Sequence, residues 1–144
     1  MANEATINSY LQIKKGNLDY SSRPTSFKAT VTTEAGPSPG QVTVTQAGVN
    51  IDLTEITVPG GFCRIQNIDS VTSSTNYLEV GIWDGSSFYP LMELLQGESY
   101  VFRLARNLGE EFGVGTGTTG AGINTLRLKA FSASMSAVVE AFNK

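Results

Sequence analysis

Thirteen carboxylates, a single thiol and no imidazole set the chemistry open to this chain. Without histidine there is no Ser-His-Asp triad, no Cys-His pair and no histidine metal ligand. Cys63 lies between Phe62 and Arg64 in a strand-like run. It has no general base to activate it, so it reads as a small buried hydrophobe. Glu110 and Glu111 are the only adjacent carboxylates. On a strand such neighbours point to opposite faces and cannot share one substrate; in a loop they could, but nothing nearby looks like a sugar platform. Asp52, Asp69 and Asp84 are scattered and lack the spacing of a calcium loop. No cofactor or metal is expected.

Two segments invite a ligand reading. Gly113 to Gly122 holds five glycines and three threonines. A phosphate-binding loop needs a lysine after its last glycine and a helix beyond. Here Ile123 and a strand-like run follow, so a connecting loop is expected. The second segment is aromatic. Trp83, Phe88 and Tyr89 gather around Asp84-Gly85, with Tyr77 on the strand face of Trp83. Such rings can form a second core face, anchor a protein interface or stack on a sugar.

The elements that must position these residues are strands. Val42-Thr43-Val44-Thr45 and Thr30-Val31-Thr32-Thr33 are rich in β-branched residues. From Asn76 to Trp83 the pattern alternates, with Leu78, Val80 and Ile82 on one face and Tyr77, Glu79, Gly81 and Trp83 on the other. Ser99–Ala105 and Thr125–Phe131 alternate likewise, and Met135–Phe142 forms a last strand. Gly16-Asn17, Gly60-Gly61, Asp84-Gly85 and Gly97-Glu98 are the breaks, and Asp84-Gly85 is the strongest hairpin signal. Tyr89 to Leu95 allows one helical turn. The expectation is an all-β, jelly-roll-like β-sandwich of about eight to ten short antiparallel strands. Residues 1–35 are read as an extended N-terminal arm or first strands, and 36–144 as the sandwich.

Composition sets the outer bounds. At 144 residues and 40% apolar, the chain can bury a real core. It has no apolar run near the ~20 residues of a membrane helix. Met1-Ala2-Asn3-Glu4 carries no signal-like pattern, so no secretory signal is expected, and a lone thiol suits a reducing cytosol. The net charge of −3 does not call for nucleic acid. Residues 1–33 hold four cations (Lys14, Lys15, Arg23, Lys28) against two anions (Glu4, Asp19), whereas residues 34–60 hold three anions and no cation. A basic arm meeting an acidic neighbour is one reading and ordinary solvated faces the other.

Three blocks carry a family resemblance. The first is Gly36-Pro37-Ser38-Pro39-Gly40-Gln41-Val42, leading to Val49-Asn50-Ile51-Asp52-Leu53. The second is Pro59-Gly60-Gly61-Phe62-Cys63-Arg64-Ile65-Gln66-Asn67-Ile68-Asp69, continued by Asn76 to Ile82. The third runs from Phe88-Tyr89-Pro90-Leu91 through Gln96-Gly97-Glu98 to Arg103-Leu104. Across residues 36–142 the chain resembles small virion proteins of tailed DNA phages, of the capsid decoration (cement) type. The resemblance implies a β-sandwich, often trimeric, on the outer capsid surface, made in the bacterial cytoplasm. Its partner would be the major capsid protein, with no nucleic acid, membrane or small-molecule substrate, and no catalytic residue.

In that setting the interface candidates are Tyr10, Leu11, Ile13, Lys14 and Lys15 of the arm, and Trp83, Phe88 and Tyr89 of the aromatic cluster. Ile7, Tyr10, Leu11 and Ile13 alternate imperfectly and suit addition to a neighbour's strand edge, or the first strand of the chain's own sandwich. The alternative function is a tail-associated or receptor- or carbohydrate-binding virion module.

Overall fold

The computed structural model describes residues 5–29, 37–56, 60–70, 75–104 and 125–143. The chain divides into two units, Met1–Thr32 and Thr33–Lys144. Every regular element among the described residues is a strand.

The second unit holds β5 (Ser38–Val44), β6 (Val49–Asn50), β7 (Phe62–Asn67), β8 (Leu78–Trp83), β9 (Phe88–Leu94), β10 (Ser99–Arg103), β11 (Thr125–Ala130) and β12 (Met135–Ala141). They form two four-stranded antiparallel sheets, ordered β10-β7-β12-β5 and β6-β11-β8-β9. Successive strands cross between the sheets except at the β8–β9 hairpin. This order is the jelly roll, two interlocked Greek keys. The alternating runs dictate it. In β7, β11 and β12 every second residue is buried, and the inward rows meet in one core. Ile65, Leu78, Val80, Leu128 and Val139 are fully buried in that core. Each contributes roughly 1.5–3 kcal/mol by leaving water. Cys63 is buried with them, and desolvation pushes its thiol up to about 12.

The expected helical turn at Tyr89–Leu95 is not formed, because Phe88–Leu94 is paired to β8 along its length. The register gives the reason. Val80 opposes Met92 but Gly81 opposes Pro90, so Leu91 is an extra residue in a β-bulge. The bulge inverts the alternation of β9. Phe88 and Pro90 stand on the outer face, while Met92 and Leu94 turn to the core. That inversion is what makes the segment's apolar pattern look helical.

Buried asparagines tie the crossings between sheets. Asn67 Nδ2 donates to the Leu94 carbonyl at 3.0 Å, and its Oδ1 accepts from the Asp69 N–H. Asn76 Oδ1 accepts from the N–H groups of Ser132 and Ala133 where β11 passes to β12. At Gly61 the chain's last residues come so close that a Cβ would lie 2.1 Å from the Phe142 carbonyl oxygen. The Phe142 N–H donates to the Phe62 carbonyl beside it. The Asn143 carbonyl follows at 2.6 Å, and these obstacles are backbone, so none can step aside.

The first unit holds β1 (Ala5–Ser9), β2 (Gln12–Lys15), β3 (Leu18–Ser21) and β4 (Thr25–Ala29), with β1 paired to β4 and β2 to β3. It is one long two-stranded ribbon folded at Gly16-Asn17. Gly16 has φ +57° and no described non-glycine residue, Asn17 included, has positive φ, which defines a type II′ turn matched to strand twist. The readings of Thr30–Thr33 as a strand, Glu110-Glu111 as a pair and Gly113–Gly122 as a loop fall outside the described residues. With eight strands in the sandwich and four in the ribbon, the described total is twelve. This exceeds the eight to ten expected, because the arm is doubled back on itself.

Gly61→Ala is expected to destabilise the domain by about 3 kcal/mol through this backbone clash. A urea unfolding curve that keeps its slope and moves to a lower midpoint checks it.

Candidate interaction surfaces

Ribbon geometry starts from pairing. Partners across an antiparallel ladder share a face. Ala5↔Ala29, Ile7↔Phe27, Ile13↔Tyr20 and Lys15↔Leu18 therefore form one row, to which Leu11 belongs by parity. Thr6↔Lys28, Asn8↔Ser26, Gln12↔Ser21 and Lys14↔Asp19 form the other. Between Ser9↔Thr25 and Gln12↔Ser21, two residues of one strand face three of the other. The extra residue sits beside Arg23-Pro24, where proline's missing N–H costs the ladder nothing. It returns Phe27 to the face of Tyr20 and Leu18. The ribbon thus has one mainly apolar side, interrupted at Ser9↔Thr25 and ending in Lys15, and one polar side.

The apolar side is exposed. Leu11, Ile13, Leu18, Tyr20 and Phe27 are 42–55% accessible. An isolated two-stranded ribbon is marginal in water at best, and this one leaves its large apolar side chains in solvent. Tyr10 belongs to the polar side, where its hydroxyl lies 2.9 Å from Ser21 Oγ. That is why Ile7, Tyr10, Leu11 and Ile13 alternate imperfectly. Lys14 and Asp19 pair at 3.4 Å, both 65% exposed, so the pair adds little stability. Lys15 stands at the tip beside Leu18. Sequence reasoning missed Leu18, Tyr20 and Phe27. Their signal was the mirror spacing of Ile13 and Tyr20 about Gly16-Asn17.

Trp83 and Phe88 are paired on the outer face of the β6-β11-β8-β9 sheet. Arg127 lies over the indole, its Cζ 4.1 Å from the ring centroid, and donates to the Ala47 carbonyl at 2.7 Å. Phe88 packs across Gly81, where a Cβ would meet its ring at 2.9 Å. Lys129 Nζ is 5.7 Å from the Phe88 ring and 4.0 Å from Glu79. Tyr77 stacks on Phe131 at 4.5 Å. The rings are engaged with the chain's own cations and neighbours rather than laid out as a row of bare platforms. Arg127, which organises this face, was not anticipated. Tyr89 pairs with Ile82 and so belongs to the opposite row from Trp83, with its hydroxyl 3.1 Å from Asp84 Oδ2.

Two of the scattered aspartates staple turns. Asp84 Oδ1 accepts from the N–H groups of Ser86 and Ser87 at 2.8 and 2.7 Å. The Ser87 and Ser86 backbone bonds hold its carboxyl down at about 2. The β8–β9 hairpin is closed by this four-residue loop, with Gly85 at φ +96°. Asp52 does the same for Thr54, whose hydroxyl and N–H lower its pKa. Asp69 Oδ1 accepts from the Ser70 N–H. Among the described residues no three His, Cys, Asp or Glu side chains gather as a metal cluster.

Comparison of the chain with protein-family models, curated proteins and solved structures gave no match.

Two outcomes follow from these contacts. Arg127→Ala is expected to cost about 1–2 kcal/mol. It should also raise acrylamide quenching of Trp83, the chain's single tryptophan, because one indole face loses its cover. The Asp84 carboxyl has a depressed folded-state pKa, so its stabilisation is full above pH 4 and disappears as pH falls toward 2. The stability gap between the native chain and Asp84→Asn should therefore narrow across that window, read as thermal midpoints at stepped pH.

Proposed function

We propose that this chain is a structural virion protein that decorates a phage capsid. It would bridge and stabilise neighbouring units of the major capsid protein against the pressure of packaged DNA. The observation that carries the reading is the ribbon. One side of it exposes Leu11, Ile13, Leu18, Tyr20 and Phe27, and such a side is stable when another protein covers it. The jelly roll supports the same reading. It gives a rigid body with its polar groups committed to turns and crossings, and the three blocks that resemble decoration proteins lie on it.

The chain performs no chemistry in this proposal. Asp52 and Asp84 are engaged as turn staples, and Cys63 is buried with its thiol strongly protonated. The protein acts as a trimer on the outer capsid surface after synthesis in the bacterial cytoplasm. Its partner is protein, with no part for nucleic acid, membrane, cofactor or small molecule. Repetition makes the arrangement effective: a standard interface buries about 1,600 Å², and a shell repeats it at every junction. The carbohydrate-binding alternative is less favoured, because Arg127 occupies a face of Trp83 and Phe88 packs over Gly81.

A cryo-EM map of the virion that contains this chain tests the proposal. The expected result is ordered trimeric density at three-fold and quasi-three-fold capsid junctions. Density confined to the tail would overturn it.

A further inference from the structure

Four strand edges border the sandwich, and three carry devices that discourage pairing. β5 contains Pro39 and Gly40. β6 is two residues long. β9 contains Pro90, the Leu91 bulge and Glu93. Proline, bulges, charge and shortness are the usual guards of an edge. The fourth edge, β10, has none of these devices along Ser99-Tyr100-Val101-Phe102. It pairs with β7 in unbroken register from Ser99↔Gln66 to Arg103↔Phe62. Tyr100 and Val101 are 52% and 44% accessible. Its one charge, Arg103, is turned to the Gly60 carbonyl at 2.6 Å and to the Phe62 ring.

We infer that β10 accepts the ribbon of a second copy of this chain by strand addition, so that copies join head to tail. Three observations choose this occupant. First, the faces match. Tyr100 and Phe102 pair with the buried Ile65 and Cys63, so they lie on the core side of the sheet at its open border. A ribbon added there continues that side with Ile13, Tyr20, Ile7 and Phe27, and keeps its polar row outward with Val101.

Second, the charges match. Residues 1–32 carry Lys14, Lys15, Arg23 and Lys28 against Glu4 and Asp19. Subtracting these from the chain's 10 cations and 13 anions leaves six cations against eleven anions in residues 33–144. A basic ribbon therefore meets an acidic body, with Glu98 exposed directly before β10. A ribbon laid against another ribbon would instead set like charges together. Third, the contact joins two different surfaces. Such a heterologous contact closes into a ring when the rotation between copies divides a full turn, and a third of a turn gives the trimer. The inference deepens the assembly proposed above but concerns the purified protein and needs no virion.

The test uses full-length chains in two populations. One carries Val101→Cys; the other carries Gln12→Cys, Lys14→Cys or Ser21→Cys on the ribbon's polar row. Cys63 is buried and gives little background. After mixing, a short bismaleimide is expected to link the two populations into heterodimers at one or more of these positions. Light scattering of the native chain is expected to give three times its 15.4 kDa mass. Val101→Lys, an exposed change facing the basic ribbon, is expected to weaken association at least tenfold, whereas Val101→Glu preserves it. A third chain that bears both cysteines serves as control: cross-linking within it, with no link between the two single-cysteine populations, would overturn the inference in favour of a ribbon that folds back on its own body. A monomeric native chain, or an oligomer indifferent to Val101→Lys, would overturn it as well. Capsid location is read in a separate experiment, so either result can fail without the other.

Discussion

Everything apolar in this protein depends on the two-residue period of a β-strand. Each side chain's face is fixed by its parity, so one inserted residue sends every later side chain to the opposite side. The chain uses that rule twice. In β9 the extra Leu91 lets Phe88 stand outside while Met92 and Leu94 fill the core. In the ribbon, the extra residue beside Arg23-Pro24 brings Phe27 onto the face of Tyr20 and Leu18. Without the first insertion β9 would lose part of its buried row. Without the second, Phe27 would leave the ribbon's mainly apolar side.

Polar groups then hold what parity arranges. In the jelly roll most connections cross from one sheet to the other, and such crossings expose backbone groups that water cannot reach. Asn67 and Asn76 meet them from within. A buried amide earns its place only when its bonds are made, and both side chains bind the segments that change sheet. Asp52 and Asp84 work at the surface in the same way, each accepting from backbone N–H groups within two or three residues.

Those surfaces differ in kind. The outer face of the β6-β11-β8-β9 sheet is finished: its rings lie against Arg127, Gly81 and one another. The ribbon and β10 are unfinished, one with an exposed apolar side and the other with an unguarded edge. Among the described residues, three edges carry guards and β10 carries none, the pattern expected where pairing is wanted at one place and costly elsewhere.

Much of this was legible in the residues. The alternation from Leu78 to Trp83, from Thr125 to Ala130 and through Met135–Ala141 determined strands and their inward rows, because burial on one face of a sheet demands period two. Gly16-Asn17 and Asp84-Gly85 marked turns, because glycine reaches conformations closed to other residues. Cys63, with no base in the chain to activate it, read as a buried hydrophobe, and it is one. Other features were decided only in three dimensions. The Tyr89–Leu95 run reads as helix-like until the bulge is seen, since a parity change in sequence looks like a change of period. The partner of the arm's first strand, the placement of Arg127 over Trp83 and the unguarded state of β10 rest on pairings between distant residues. A single strand carries no record of its neighbour, so sequence fixed which side chains face together, and the fold decided what they face.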